Sequence, residues 1–151
     1  MAQVEKFYLP DDLYYEPEDH LWVKIESYVV RIGMDQLGQE AAGTIVHLKI
    51  PLVKKLLRKK DNFGFLEAGK FVGPLKMPID GRIIEVNQRV LDQPDLVNRD
   101  PYGEGWLILV RPENLAENLR DLLYNEEAIT RWLTEKVQDY RERGIFPEKG
   151  T

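Results

Sequence analysis

The sequence contains no cysteine and only two histidines, His20 and His47. Without cysteine the protein itself offers no disulfide, no thiolate nucleophile and no cysteine-ligated metal, so any sulfur chemistry has to reside on an attached group. Neither histidine has a carboxylate or hydroxyl residue at a sequence spacing typical of a catalytic triad or a metal site. We interpret both as strand-edge residues and predict no catalytic residue and no metal site.

An excess of positive charge is also lacking. The net charge is -5 and the sequence pI is about 5.2, whereas a nucleic-acid surface usually has a basic footprint. The N-terminus has no long apolar segment behind a basic leader, and no stretch approaches the length of a bilayer span. The sequence therefore predicts no nucleic-acid partner, no membrane partner and a cytoplasmic location.

Short stretches with strand patterning fill most of the chain. Residues 21–26 alternate apolar and charged side chains after Leu21, which is typical of a half-buried strand. Further short runs are separated by Gly and Pro turns, at residues 29–32, 44–50, 63–67, 75–79, 82–86 and 106–110. Strands so short and so closely spaced favour a barrel or a sandwich, with one short helix inserted before Gly43.

The pattern becomes helical near Pro112. A first helix there has leucines at 115, 119, 122 and 123 on one face, and a second begins after Asn125 and ends at Gly144. The stripe of the second helix is predicted to pack on the barrel: Ile129, Trp132, Leu133, Val137 and Tyr140. Residues 92–105 are rich in turn formers and are predicted to form a long structured loop.

These patterns divide the chain into four parts. We predict an extended or irregular lead-in (1–19), a barrel domain (20–111), C-terminal helices packed on it (112–144) and a loose tail (145–151). The barrel domain also contains the only strongly basic patch, residues 54–60. A charge run of this kind is either a solvated loop or a docking surface, and the sequence leaves both open.

Two apolar runs flank a glycine-rich stretch, residues 64–81. Gly69 permits a positive φ at no steric cost, so the chain is predicted to reverse there and to present Lys70 at a hairpin tip. Gly81 is likewise interpreted as a residue required for backbone geometry. Three other polar residues are predicted to fix loops by hydrogen bonds: Asn87, Asn98 and Tyr102.

The residues themselves do not indicate a self-sufficient enzyme. No glycine-rich phosphate loop is present, because the Gly-Lys pair at 69 and 70 lacks the pattern that such a loop needs. Carboxylates such as Glu67, Asp80 and Glu85 are plentiful, but in an acidic protein they are weak evidence for a general acid and base.

Motifs along most of the chain resemble those of the glycine cleavage system H protein family, which are lipoyl carriers. They run in order from about Tyr14 to Val137: His20-Leu21-Trp22, Ile32-Gly33, Leu37-Gly38, Ile50-Pro51, residues 61–70, residues 78–87, residues 94–98 and residues 101–106. In that family a Glu-Ser-Val-Lys-Ala motif bears lipoic acid on its Lys. Glu67-Ala68-Gly69-Lys70-Phe71 occupies the same place here.

The resemblance implies a mainly β fold with α-helices, the lipoyl or biotinyl type of barrel-sandwich hybrid, with a short inserted helix and C-terminal helices. It implies lipoic acid bound covalently through Lys70, and a carrier protein rather than an enzyme. Glu67, three residues earlier, is either read by the lipoylating enzyme or is a solubilising strand-edge carboxylate.

The resemblance also implies partners. A lipoyl group is a group carrier, and the protein supplies its position and electrostatics. In the H-protein cycle the arm accepts an aminomethyl group from glycine decarboxylase with reduction of its disulfide. It then passes the one-carbon unit to tetrahydrofolate on an aminomethyltransferase and is reoxidised by dihydrolipoyl dehydrogenase.

Three departures from the family pattern leave the pathway open. Leu21 replaces a Glu thought to hold the amine of the loaded arm, residues 71–74 form a more apolar lip, and the usual turn after Pro51 has become the basic patch. A first alternative is an H-like lipoate-binding carrier for sulfur oxidation, working with a heterodisulfide-reductase-like complex. A second is an unmodified interaction module that no longer uses Lys70.

Overall fold

The computed structural model describes residues 2–69 and 71–146. The strands are β1 (Ala2–Val4), β2 (Phe7–Leu9), β3 (Tyr14–Glu16), β4 (Leu21–Glu26), β5 (Val29–Met34), β6 (Ile45–Lys49), β7 (Asn62–Ala68), β8 (Val72–Lys76), β9 (Gly81–Val86) and β10 (Ile108–Pro112). The helices are α1 (Gln36–Ala42), α2 (Gln88–Asp92), α3 (Leu96–Arg99), α4 (Leu115–Leu119) and α5 (Glu126–Glu142).

Two antiparallel sheets enclose the larger core. One has five strands in the order β3-β4-β5-β10-β9, and the other has three in the order β6-β7-β8. Inward side chains of both sheets meet in one cluster, for example Leu21 and Ile32 from the first and Leu48, Leu66 and Leu75 from the second. The prediction of a sandwich of short strands is therefore confirmed.

The β4-β5 hairpin shows how the residue pattern produces this sheet. Val23 pairs with Ile32 and Lys24 with Arg31, so the buried and the solvent-facing side chains fall on opposite faces. Ser27 adopts a positive φ of 58° at the turn. The predicted strand 29–32 continues to Met34, where Asp35 caps α1 by accepting a hydrogen bond from the Gly38 amide.

A second core joins α5 to the N-terminal strands. Ile129, Leu133 and Val137 of α5 are buried in one cluster with Phe7, Leu9, Trp22 and Leu37. The predicted N-cap is confirmed, since the Asn125 side chain accepts a hydrogen bond from the Ala128 amide, and Gly144 follows the helix with a φ of 66°. The apolar stripe of α5 thus packs largely on β1, β2 and the outer side of the barrel.

The lead-in is more ordered than the sequence suggests. Residues 1–19 were expected to be extended or irregular, but β1 pairs with β2, and β3 joins the five-stranded sheet through β4. Tyr15 pairs with Leu123 and donates a hydrogen bond to the Pro10 carbonyl at 2.5 Å. The lead-in therefore contributes to both cores. Most of the predicted tail, residues 147–151, lies outside the described residues.

Five other elements differ from the predictions. Helices α2 and α3 lie in and beside the predicted loop of residues 92–105, and α4 is a single short helix. Pro112 ends β10 instead of starting a helix. β8 lies three residues earlier than the predicted strand 75–79, because Val72 pairs with Glu67 across the tip of the hairpin.

Within the part of the chain that the structure describes, no helix is both long enough and apolar enough to cross a membrane. The same described residues contain no cluster of His, Asp and Glu suited to hold a metal ion.

Lys60 compensates a buried carboxylate. The Glu16 side chain is 4% exposed, and its Oε2 accepts a hydrogen bond from Lys60 Nζ at 2.9 Å. Burial alone would lower the pKa of Lys60, but hydrogen bonds to Asp19 and Glu16 outweigh it and raise the pKa. Two cations of the basic patch are therefore structural, because Lys59 also pairs with Asp121.

Lys60→Met is expected to lower the free energy of unfolding by about 1–2 kcal/mol, because it leaves the buried Glu16 carboxylate without its partner. Lys60 is 40% exposed, so solvent screening keeps the loss near the lower of these values. The raised pKa means that the contribution of Lys60 is complete at neutral pH and is lost only as the pH rises above the ordinary lysine range. Urea unfolding at pH 7 measures the loss. Lys54→Met is the matched control, with an expected change within about 0.5 kcal/mol.

Candidate functional site

The β7-β8 hairpin presents the predicted attachment position. Leu66 pairs with Gly73 and Glu67 with Val72, and the Ala68 amide donates to the Phe71 carbonyl at 2.8 Å to close the tip. Lys70 lies outside the described residues. Both of its neighbours, Gly69 and Phe71, are described and exposed.

Gly69 and Gly81 were both interpreted as residues required for backbone geometry, and the structure supports this only for Gly81. At Gly69 φ is not in the left-handed region, and an added Cβ would meet nothing within 4 Å, so the prediction of a positive φ there is wrong. The amide of Gly69 is instead held by the Thr44 carbonyl at 3.1 Å. Gly81 is needed, since an added Cβ would lie 2.4 Å from the Val110 side chain and 2.7 Å from the Arg111 carbonyl.

Glu67 lies on the outer face of β7, two residues before Gly69. It is exposed, and no ion pair or hydrogen bond to its carboxylate is found among the described residues. β7 is the central strand of its sheet, so Glu67 does not protect a sheet edge, which was one of its two interpretations. His47 lies opposite it on the edge strand β6, as predicted for a strand-edge residue.

A groove of about 620 Å³, here called the tip groove, runs beside the hairpin. Phe71 and Pro74 form its near wall, and Leu21, Met34 and Leu75 form an apolar floor. The Phe71 ring folds back over Gly73, where an added Cβ would lie 2.8 Å from it. The far wall comes from α5 and contains Lys136, Tyr140 and Arg143.

Leu21 leaves the floor of the tip groove without a carboxylate. Its side chain is fully buried. Arg143 is paired with Asp139, whereas Lys76 and Lys136, which also line the groove, have no ion pair among the described residues. The groove lining carries both signs of charge, because the acidic residues Glu18 and Asp19 also line it and share Lys60 as their partner.

His20 connects the barrel to α5, which sequence spacing did not predict. Its Nε2 lies 2.6 Å from the Tyr140 hydroxyl, and its Nδ1 lies 3.5 Å from Oδ2 of Asp35; neither Nδ1 nor this oxygen has another partner in the described chain. In the tautomer with its proton on Nδ1, that proton faces the Asp35 carboxylate and Nε2 accepts from the Tyr140 hydroxyl. Burial, and then the negative charge of Asp35, raise the pKa of Tyr140.

The interpretation of His20 as a strand-edge residue is therefore wrong, because it lies in the turn between β3 and β4 and its ring faces Asp35 and Tyr140. Asp35 is 15 residues away and Tyr140 is 120 residues away, so no local spacing could reveal either contact. The one available signal was Asp35 itself, which precedes a helix as an N-cap and is thereby fixed in space.

The three predicted loop-fixing residues are confirmed in that role. Asn87 donates to the carbonyls of Glu104 and Trp106, both at 2.8 Å. Asn98 accepts from the Ile45 amide and donates to Gly43. The Tyr102 hydroxyl donates to the Tyr8 carbonyl and accepts from the Gln36 amide. All of these bonds hold loops, and those of Asn98 also fix the residues on both sides of Thr44, whose carbonyl holds the Gly69 amide.

Comparison with solved structures supports the fold. The crystal structure of a glycine cleavage system H protein from Mycobacterium marinum superimposes with a TM-score of 0.71 at 30% sequence identity, covering 85% of this chain and 98% of that one. The two sheets, the inserted helix and the C-terminal helix thus form the predicted lipoyl-type barrel-sandwich hybrid. The fold and the projecting hairpin define a carrier protein of the lipoyl type, not a catalyst.

The sequence comparisons identify the family. The model of the family described as glycine cleavage H-protein matches residues 13–136. Glycine cleavage system H protein 2 of Aquifex aeolicus is 40% identical over 136 residues, which are 89% of this chain and 81% of that protein. The glycine cleavage system H protein of Carboxydothermus hydrogenoformans is 40% identical over 119 residues, 79% and 90% of the two chains. The chain belongs to the glycine cleavage H-protein family.

Proposed function

We propose that this protein bears lipoic acid in amide linkage on Lys70 and shuttles an aminomethyl group and electrons between the enzymes of glycine cleavage. The supporting observation is the exposed, closed tip of the β7-β8 hairpin, at the position where the family bears its arm.

A cytoplasmic location is part of the proposal, and cell fractionation tests it.

The described residues fit such an arm. When bound, lipoate supplies a disulfide that can take up a one-carbon unit and two electrons. Gly69 and Phe71 are exposed, so a side chain between them can be reached by a modifying enzyme. The tip groove offers the hydrocarbon part of the arm an apolar floor at Leu21, Met34 and Leu75.

The proposed partners are a lipoylating enzyme, glycine decarboxylase, an aminomethyltransferase and dihydrolipoyl dehydrogenase. A tethered group is present near a docked enzyme at a raised effective concentration, so each encounter can be brief. The β7-β8 hairpin, paired with β6, provides a fixed base from which such a tether can reach successive enzymes.

A thiol assay with glycine decarboxylase tests the proposal. The chain has no cysteine, so a thiol reagent detects only the reduced arm and no background from the protein. We expect thiol to appear only when glycine, decarboxylase and lipoylated protein are all present. No thiol, while a known H protein of another organism responds in the same assay, would exclude glycine cleavage.

Glu67 is proposed as a contact for the lipoylating enzyme. Glu67→Gln is expected to lower kcat/KM of lipoylation by about ten- to a hundredfold, the effect of losing one hydrogen bond to a charged group (~1.5–3 kcal/mol). Glu85→Gln, an exposed carboxylate on β9, is the matched control and should leave the rate unchanged. Equal rates for the two variants would leave Glu67 with no role in recognition.

A second candidate is a lipoyl carrier for sulfur-compound oxidation. Leu21 cannot pair with the ammonium group of an aminomethyl cargo, and the unpaired cations Lys76 and Lys136 favour an anionic cargo in the tip groove. If this candidate is correct, glycine and the decarboxylase produce no thiol in the assay. The arm is instead reduced when a sulfur substrate and a heterodisulfide-reductase-like complex are supplied. Insensitivity of that reaction to Lys136→Glu would argue against this candidate.

A further inference from the structure

A second groove lies on the other side of the hairpin, between β7 and the basic loop. This lysine groove has a volume of about 550 Å³. Pro51, Val53, Phe63 and Phe65 line it with apolar surface. Its charged lining residues are Lys49, Lys55 and Asp61, and the Asp61 carboxylate accepts a hydrogen bond from the Arg58 amide at 2.8 Å. None of these residues takes part in the attachment site proposed above.

The cations around the lysine groove are not neutralised within the chain. Lys59 and Lys60 of the same loop are paired with carboxylates, as described above. By contrast, the structure shows no ion pair for Lys49, Lys54 or Lys55 within residues 2–69 and 71–146, and all three are exposed. This concentration of positive charge occurs in a protein whose net charge is -5.

Apolar side chains accompany these cations at the surface. Leu52 is 51% exposed and Phe65 is 39% exposed. Lys49, Phe65 and Pro74 are Cα partners across the three strands, so an aromatic ring lies between a cation and a proline on the outer face of the sheet. Apolar surface bordered by charge is typical of protein-binding sites.

The lysine groove is continuous with the hairpin tip. Phe65 lies on β7, which leads directly to the exposed Gly69, four residues further on. At the rise of an extended chain this separation is at most about 14 Å. A protein docked in the groove therefore has its surface close to the hairpin tip.

We propose that the lysine groove binds an acidic, amphipathic segment of a partner protein. The carboxylates of the segment pair with Lys49 and Lys55, and an apolar side chain packs against Phe65. The overall charge of the protein argues against a nucleic acid as the partner. A long polyanion would be repelled by the acidic remainder of the surface, whereas a short acidic segment is affected only by charges within about 10 Å. Docking through this groove does not depend on what is attached to Lys70.

Fluorescence anisotropy with the full-length chain tests this proposal. The probe is a labelled synthetic helix with glutamates on one face and leucine and phenylalanine on the other. We expect saturable binding that weakens with salt, and a Kd raised about tenfold or more by Lys49→Glu with Lys55→Glu. Phe65→Ser should weaken binding by a similar factor, and circular dichroism checks that this variant folds. If it does not fold, the test rests on the double variant Lys49→Glu with Lys55→Glu, whose substituted side chains are exposed.

Controls separate this groove from general electrostatics. Lys24→Glu with Arg131→Glu changes the net charge equally at two exposed positions elsewhere, on β4 and α5, and should leave Kd unchanged. A helix with lysines in place of the glutamates should not bind. The proposal is overturned by no binding, by equal effects of the two double variants, or by tighter binding to oligothymidylate or phosphatidylglycerol vesicles.

Discussion

Lys70→Arg is expected to abolish lipoylation and, with it, all glycine-dependent appearance of thiol. Formation of the amide requires an amine that can lose its proton, and a guanidinium stays protonated and keeps only the charge. Lys76→Arg, an exposed lysine on the neighbouring strand β8, is the matched control and should be modified normally at Lys70.

The same pair of variants tests the interaction-module hypothesis. If the host organism functions normally with Lys70→Arg, the lysine is not used as an attachment point and both carrier functions fail. If Lys70→Arg reproduces a deletion of the gene while Lys76→Arg does not, the interaction module is excluded. Thermal unfolding of both variants should match the parent protein, because Lys76 and both neighbours of residue 70 are exposed.

Leu133→Ala is expected to lower the free energy of unfolding by about 2–5 kcal/mol. Leu133 is fully buried in the second core, between α5, the β1-β2 hairpin and Trp22. Truncation leaves a cavity where α5 meets the barrel, and the helix also forms the far wall of the tip groove through Tyr140. Urea unfolding measures the loss.

Leu52→Ala provides the matched control for Leu133→Ala. It removes the same atoms at a position that is 51% exposed, so its effect should stay within about 0.5 kcal/mol. Similar effects of the two variants would mean that the second core does not hold α5 in place. A large loss for Leu133→Ala with native β-sheet signals retained would show that α5 and the hairpin unfold separately from the barrel.

Local patterns were sufficient where one element carried its own signal. The strand at residues 21–26, the cap at Asn125 and the glycine at 144 each depend on a few neighbouring residues, and all three appear as predicted, although burial along the strand does not alternate strictly because Ile25 is exposed. β8 was misplaced because Gly73 and Pro74 conceal its alternation. Proline is tolerated there because β8 is an edge strand, where the missing amide is not needed for pairing.

Long-range contacts could not be predicted from spacing. The paired lead-in depends on α5, more than a hundred residues away, and the contacts of His20 with Asp35 and Tyr140 depend on the same helix. At Gly69 the residue type suggested a positive φ, but its φ lies outside the left-handed region, and the bond from the Ala68 amide to the Phe71 carbonyl closes the tip. A glycine permits such a φ without requiring it.

The candidate site divides in the same way. The hairpin, Glu67 and the family follow from contiguous sequence, whereas the tip groove combines β4, β8 and α5 and needed the fold. The absence of a carboxylate at Leu21 could be read from the sequence. The structure adds a reason why the missing carboxylate matters for the choice of cargo, because Lys76 and Lys136, which have no ion pair among the described residues, line the same groove.

Mass spectrometry of the protein produced with a working lipoylation system tests the central claim most directly. Intact mass gives the extent of modification, and fragmentation of the peptide that contains residue 70 gives its place. The account predicts one lipoyl increment, located on Lys70 and absent from Lys70→Arg. An unmodified mass, when a known acceptor is lipoylated by the same system, or an increment on any other lysine, would contradict it.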